Sequence, residues 1–126
     1  MKSATDDREL LEHARRAAAR AYAPYSGFMV GAAVLDRAGR IYEAANVENA
    51  SYGLSLCAER AALARALAEG ALPGEIEAVA ATASPCGACR QWLVELGVDR
   101  VVYPWRGALA VRRPSDLLPD SFQLQL

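Results

Sequence analysis

The chain has 126 residues, of which 53% are hydrophobic and 23% charged, and its formal net charge is −1. This length is typical of one domain that buries a core without disulfides, and the composition excludes a disordered or fibrous protein. The near-neutral charge argues against a dedicated binder of nucleic acid or of a membrane surface. We therefore expect a single domain over residues 1–126, with neither nucleic acid nor a membrane as its partner.

The first predicted elements are a helix and a hairpin. Residues 5–23 carry apolar residues at helical spacing, and Pro24 ends this pattern. Two strands are expected over 28–36 and 40–47, joined by a turn at 37–39.

Helices and strands alternate in the second half of the chain. We expect a helix over 57–69, a strand over 76–83, a helix over 87–96, and strands over 100–103 and 108–112. The last two strands are too close in sequence for a parallel crossover, so they should form an antiparallel hairpin. The strand–helix–strand segments before them predict parallel neighbours. The predicted fold class is α/β, with helices on the faces of a mixed five-stranded sheet.

The N-terminal residues and the cysteines bear on the cellular compartment. The first seven residues lack the apolar core of a signal peptide, and no apolar run reaches the length of a membrane span. Three cysteines cannot all pair within one chain, which favours thiols or metal ligands over disulfides. These features predict a cytoplasmic protein.

Two short segments hold all three cysteines. Cys57 opens the second predicted helix, while Cys86 and Cys89 form a Cys-x-x-Cys pair at the start of the third. Such a pair can hold one metal ion, and a third thiolate leaves one position of a tetrahedron open, as in catalytic zinc sites. The single histidine, His13, is expected on the solvent side of the first helix. We therefore predict one catalytic Zn²⁺ per chain.

Charged residues next to these cysteines predict further roles. Glu59 follows Cys57 closely enough for its carboxylate to reach the open position and take a proton from water, although a first-turn acid can also simply stabilise a helix dipole. Three thiolates and Zn²⁺ sum to −1, so the centre needs positive charge near its sulfurs. Arg60, together with Arg90, is the predicted donor to the thiolates, and the alternative is a pair of surface arginines.

These motifs resemble those of a known family. Zinc deaminases carry His or Cys, any residue and Glu, followed by Pro-Cys-x-x-Cys, and residues 57–59 and 85–89 match that pattern. The stretches PYSGF (24–28), VGAA (30–33) and NVENASYG (46–53) further resemble the small tetrameric cytidine deaminases. The resemblance implies a three-layer α/β/α cytidine-deaminase-like fold and a homotetramer with shared active sites.

The resemblance also implies an activity: zinc-dependent hydrolytic deamination of cytidine and 2′-deoxycytidine to uridine and 2′-deoxyuridine, with release of ammonia, in pyrimidine salvage. Glu59 would carry protons to N3 of the ring and to the departing ammonia. The implied substrate contacts are Phe28 on the ring, Asn46 and Glu48 on the ribose hydroxyls, the backbone of Ala58, and Ala50, Tyr52 and Phe122 from neighbouring subunits. With one lysine and no long basic run, the chain is expected to act on a free nucleoside rather than a strand.

The chain departs from the family pattern at a few positions. Met29 stands where many relatives have proline, Ala44 and Ala45 stand where Gly or Cys is usual, the link before Pro85 is short, and the tail ends soon after Phe122.

Three alternative functions stay open: a thiol–disulfide oxidoreductase, a non-catalytic zinc module, and a deaminase of another aminopyrimidine or an antibiotic nucleoside. The first gives Cys57 and Glu59 no role, and the second gives none to Glu59.

Overall fold

The computed structural model describes residues 5–124. In chain order the elements are α1 (Asp7–Ala18), β1 (Gly31–Asp36), β2 (Ile41–Ala45), a 3₁₀ turn (Tyr52–Leu54), α2 (Ala58–Ala68), β3 (Ile76–Ala81), α3 (Gly87–Glu95), β4 (Arg100–Trp105), β5 (Ala108–Arg112) and α4 (Pro114–Leu117). The five strands form one sheet in the order β2-β1-β3-β4-β5.

Different helices cover the two faces of the sheet. Because side chains alternate along a strand, Ala33 and Leu35 of β1 pack with Leu10 of α1, whereas Ala32 and Val34 pack on the opposite face with apolar side chains of α2 and α3. All six residues of β1 are buried. The expected three-layer α/β/α arrangement is therefore confirmed.

The pairing of the strands confirms one topological expectation and corrects another. β4 and β5 pair antiparallel, with positive φ at Arg106 and Gly107 in the two-residue turn. β3 and β4 are parallel neighbours, as expected of a strand–helix–strand segment. The expectation that β2 and β3 are also neighbours is wrong, because β1 lies between them and pairs antiparallel with both. β1 is buried on both faces, and as an interior strand it finds partners at both of its edges.

The first helix is shorter than the predicted 5–23. Asp6 caps it by accepting from the Glu9 N–H at 2.8 Å, and the helix ends at Ala18. Beyond it the chain turns back to pair with the segment after β2, where Tyr22 N donates to Asn46 O at 3.0 Å. β1 likewise starts at Gly31 rather than at residue 28. Phe28 and Val30, which the prediction placed in this strand, line the cavity described below.

The other predicted bounds lie within two residues of the observed ones. The 3₁₀ turn and α4 were not expected from the sequence. No helix within residues 5–124 is both long enough and apolar enough to cross a membrane.

α1 lies unusually close to the sheet at Gly31. A Cβ at this position would come within 1.9 Å of the Ala14 carbonyl oxygen and 2.5 Å of the Ala18 nitrogen. Thr82 holds the same residue from the other side, since its Oγ1 accepts from Gly31 N at 3.1 Å. Glycine is therefore needed at the start of β1, directly after the cavity wall.

His13 differs from its expected position. It is half-buried, and its Nδ1 lies 2.6 Å from Glu43 Oε2 on β2. Arg20 donates to the other oxygen of the same carboxylate at 2.9 Å. The carboxylate attracts the imidazole to the sheet, so His13 ties α1 to β2 instead of facing solvent.

Candidate metal centre and active site

Two helix N-termini bring the three cysteines together. Cys57 is the N-cap of α2 and Cys86 the N-cap of α3, while Cys89 lies in the first turn of α3. The Sγ atoms of Cys57 and Cys86 are 3.5 Å apart, those of Cys86 and Cys89 are 3.6 Å apart, and all three lie within 4.8 Å of one another. All three are free thiols.

The sulfur cluster fits a tetrahedral zinc ion. Zn–S bonds of about 2.3 Å place two sulfurs about 3.8 Å apart in a tetrahedron, close to the separations seen here. The pKa values of the thiols also favour a bound cation between the sulfurs. Hydrogen bonding with Cys89, with help from Arg60, lowers the pKa of Cys57 to about 5. The same hydrogen bond, burial and the neighbouring negative charges raise the pKa of Cys89. Three thiolates so close together therefore need a positive ion between them.

Arg60 supplies positive charge next to this cluster. Its Nη2 donates to Cys57 Sγ at 3.6 Å and to the Ser55 carbonyl at 3.2 Å. The pKa of the guanidinium is raised, chiefly by its hydrogen bond with Cys57. Its Nε is buried, and the described residues offer that atom no hydrogen-bond partner. A donor buried in this way suits sulfurs that carry charge.

Glu59 lies in the first turn of α2 with only 3% of its surface exposed. Burial, supported by the negative charge of Cys57 and opposed by the positive charge of Arg60, raises the pKa of this carboxyl to about 7. A carboxyl with a pKa near neutrality can both take up and release a proton.

A cavity of about 690 Å³ opens beside the sulfurs. Its lining includes Cys57, Cys86, Glu59 and Arg60 at one end, Ala58 and Ala88 along one side, and Tyr25, Ser26, Phe28, Asn46, Glu48 and Tyr52 towards the other end. Nine of the thirteen predicted site residues, the cysteines Cys57 and Cys86 among them, therefore line one cavity.

The predicted sugar-binding pair is held by the backbone of the 25–30 segment. Asn46 Nδ2 donates to Phe28 O at 2.9 Å, and Asn46 Oδ1 accepts from Val30 N at 2.8 Å. Glu48 Oε1 accepts from the amides of Tyr25 and Ser26 at 2.9 and 3.1 Å. Both side chains are thus fixed before any ligand arrives.

The predicted contacts of neighbouring subunits divide into two groups. Tyr52 is 76% exposed and lines the cavity of its own chain, with its ring 6.2 Å from that of Tyr25, and its contact with a neighbour's site stays a prediction. Ala50 and Phe122 are exposed and are not among the residues that line this cavity. The carbonyl of Phe122 accepts from Gln91 Nε2 at 3.0 Å, which holds the tail against α3.

Arg90 does not take the role expected of it. Its Nε donates to Pro85 O at 2.9 Å and its Nη1 to Leu117 O at 3.1 Å, so its hydrogen bonds go to carbonyls rather than to a thiolate. The reason is geometric: Arg90 follows Cys89 on α3, and its side chain points towards α4 instead of the sulfurs. Arg90 therefore connects the Cys-x-x-Cys segment to α4.

Comparison with known proteins identifies the family. The family model described as the cytidine and deoxycytidylate deaminase zinc-binding region matches residues 4–104. A cytidine deaminase of Halalkalibacterium halodurans is 44% identical, with 93% of this chain and 94% of that protein covered. One of Mycobacterium tuberculosis is 45% identical, with 89% and 86% covered. The chain belongs to this deaminase family.

Solved structures agree with this assignment. The cytidine deaminase of Burkholderia pseudomallei superposes with a TM-score of 0.87 at 47% identity, covering 94% of this chain and 100% of that one. The Mycobacterium tuberculosis structure gives 0.83 at 43% identity, covering 95% and 99%. The predicted family, fold and zinc dependence are therefore confirmed, and the chain is a hydrolytic deaminase.

Tyr25 and Ser26 are among the cavity residues that sequence reasoning missed. Both donate to Glu48, and Ser26 does so through its hydroxyl as well as its amide. They lie in the PYSGF stretch that carried part of the family resemblance, and that stretch was the signal available. Each of these contacts joins two residues that are 22 or 23 positions apart in the sequence, and no local pattern reveals such a pairing.

Proposed function

We propose that this enzyme converts cytidine and 2′-deoxycytidine to uridine and 2′-deoxyuridine with release of ammonia, as a cytoplasmic step of pyrimidine salvage. One observation carries the proposal. A single cavity joins a three-thiol metal centre and the buried Glu59 to the fixed Asn46–Glu48 pair. The metal centre and Glu59 suit hydrolysis at an amidine carbon, and the Asn46–Glu48 pair suits the binding of a sugar.

Cys57, Cys86 and Cys89 would hold the zinc ion, with Arg60 offsetting part of their negative charge. When bound, zinc in such a site acts as a Lewis acid and lowers the pKa of water at its open position. The chain has three cysteines, so its thiolates would leave one position of a tetrahedral site open. Water or a substrate would reach that position from the cavity, which Cys57 and Cys86 line.

Glu59 moves the protons of the reaction. Its carboxylate takes a proton from water as oxygen adds to C4 of the ring, and delivers it to N3. It then takes the proton of the new C4 hydroxyl and passes it to the amino group, so that the C4–N bond breaks, ammonia leaves and C4 becomes a carbonyl. A carboxyl whose pKa lies at about 7 is suited to both directions of transfer. Its place in the first turn of α2, two residues after Cys57, keeps it beside the sulfurs.

The other end of the cavity suits a nucleoside. The Phe28 ring is 63% exposed in the absence of a ligand and offers an aromatic face to the pyrimidine. Asn46 and Glu48 offer hydrogen-bonding groups to sugar hydroxyls. Binding energy gained at the sugar then supports chemistry at C4.

The charge of the lining favours a nucleoside over a nucleotide or a strand. Among the described residues that line the cavity, Arg60 is the one with a permanent positive charge, and it is engaged with Cys57 and Ser55. Glu48 adds a negative charge at the sugar end. A phosphate would meet repulsion there and would find no free guanidinium or ammonium group to bind it.

We further propose a homotetramer in which subunits complete one another's sites. Val47 pairs through its backbone with both Tyr22 and Leu56, and all three residues are exposed, as is Leu54; Leu56 also lines the cavity. We call these four residues the mouth patch. A contiguous exposed apolar surface of this kind is typical of an interface. Ala50 and Phe122, which do not line their own cavity, are then available to a neighbour.

An ultraviolet assay of cytidine loss with coupled ammonia detection, on purified and metal-analysed protein, tests the activity. We expect turnover of cytidine and 2′-deoxycytidine and little of cytosine, since the latter leaves the sugar-binding groups without partners. A preference for another aminopyrimidine or an antibiotic nucleoside over cytidine would replace this proposal.

A further inference from the structure

One hydroxyl group connects the two ends of the ligand-binding wall. Ser26 Oγ donates to Glu48 Oε2 and accepts from the Phe28 N–H at 3.0 Å. Glu48 lies at the sugar end of the cavity, whereas Phe28 offers its ring to the base. Ser26 is thus bonded to both, although neither the sequence nor the family resemblance gave its side chain a role.

The acceptor sites of Glu48 are almost all used. A carboxylate has about four lone-pair sites, two on each oxygen. The amides of Tyr25 and Ser26 occupy those of Oε1, at 2.9 and 3.1 Å, and the Ser26 hydroxyl occupies one of Oε2. One acceptor site remains, on Oε2. The two amides fix only Oε1, so the hydroxyl fixes the rotation of the group and the direction of the free site.

The side-chain amide of Asn46 has hydrogen-bonding groups left that complement the free acceptor site of Glu48. Its Oδ1 accepts from Val30 N and its Nδ2 donates to Phe28 O, so one N–H and one lone pair remain. A sugar hydroxyl is both a donor and an acceptor. It can therefore donate to the free site of Glu48 and accept from the free N–H of Asn46.

We propose that Ser26 is a positioning residue that makes this enzyme select nucleosides with sugar hydroxyls, by aiming the last free acceptor site of Glu48. The inference rests on the proposed function. It assigns the selectivity to a hydroxyl that need not contact the substrate. Donation from Ser26 also lowers the pKa of Glu48, which keeps the carboxyl in its acceptor-only form.

The substrates that separate this role from a structural one are cytidine and 2′,3′-dideoxycytidine. Ser26→Ala removes the bond to Glu48 and also the acceptor for the Phe28 amide. A disturbed Phe28 segment impairs both substrates equally, because both carry the base. A misdirected Glu48 impairs only the substrate that has hydroxyls.

The experiment compares the wild type, Ser26→Ala and Ser26→Thr on both substrates. We expect Ser26→Ala to lower the ratio of kcat/KM for cytidine to kcat/KM for 2′,3′-dideoxycytidine by about tenfold, through KM more than kcat, as for the loss of a hydrogen bond to a charged group. Ser26→Thr keeps the hydroxyl at an exposed position and should restore the ratio. Inhibition constants of uridine and 2′,3′-dideoxyuridine give the same comparison without turnover of a weak substrate.

A double-mutant cycle completes the test. In the Glu48→Ala background, Ser26→Ala should leave the ratio unchanged, since the carboxylate that it orients is gone. An unchanged ratio in the single Ser26→Ala variant, or a fall that Ser26→Thr does not reverse, overturns the inference while the proposed function stands. A wild type that does not deaminate cytidine overturns both.

Discussion

Arg60 lies one helical turn after Cys57 on α2, and its Nη2 is 3.6 Å from the Cys57 sulfur. The contact follows directly from the helix, because residues three apart lie on the same face. It places a permanent positive charge beside three sulfurs that together attract a cation. One ligand of the metal centre and the charge that offsets its sulfurs are therefore encoded within four consecutive residues.

The first prediction compares Arg60 with Arg90. Arg60→Gln should weaken zinc retention about 10–100-fold or raise the pH at which activity appears, since the ionised groups at the centre lose their offsetting charge. Arg90→Gln is the matched control, because Arg90 donates to carbonyls and not to a sulfur. Competition with a zinc chelator and pH–rate profiles measure both effects. Equal behaviour of the two variants would return Arg60 to a structural role.

The second prediction concerns the cysteines. Purified enzyme should hold about one zinc per chain, and Cys89→Ser should lose it, because the buried Cys89 sulfur closes the three-thiolate set. Atomic emission and a thiol titration before and after chelation check both statements. Active protein with far less than one zinc, or with a disulfide between Cys86 and Cys89, would contradict the assignment of the ligands.

The third prediction compares two glutamates on one helix. Glu59→Gln should keep zinc and the fold but lose about 10²–10⁴-fold in kcat, because an amide cannot relay the proton. Glu69→Gln is the control, since Glu69 is half-exposed at the end of α2 and bonds only with Arg65 among the contacts seen. Steady-state kinetics and thermal melts suffice. A loss below tenfold at Glu59 would remove its proton-carrying role.

The fourth prediction concerns assembly. Leu54→Glu places a charge in the mouth patch and should dissociate the tetramer and reduce activity, whereas Leu72→Glu changes an equally exposed leucine far along the chain from that patch. Sedimentation velocity and activity at matched concentrations provide the measurements. A wild type that is fully active as a monomer would refute the shared sites.

Much of the fold follows from local sequence. The observed bounds of β5 match the predicted ones, and Cys57 and Cys86 cap their helices as their positions in the motifs indicated. These features depend on hydrophobic period and on residues a few positions apart. The antiparallel pairing of β1 with β3 does not, since it depends on which strands lie in the interior of the sheet.

Part of the site could not be predicted from the sequence either. The sequence pointed to Glu48 but gave no sign that Ser26 orients it, and it assigned Arg90 to the sulfurs because it follows Cys89. Side-chain direction on a helix sends Arg90 to Leu117 instead. Contacts between distant segments are set by tertiary packing, and a single sequence contains no local trace of them.

The measurement that tests the central claim most directly is deamination by the purified, zinc-analysed wild type of cytidine, cytosine and single-stranded DNA, compared with Glu48→Ala. We predict efficient turnover of cytidine, poor turnover of cytosine, none of DNA, and a fall in kcat/KM for cytidine but not for cytosine in the variant. Equal turnover of cytosine or DNA and cytidine, or unchanged cytidine turnover in Glu48→Ala, would contradict the account.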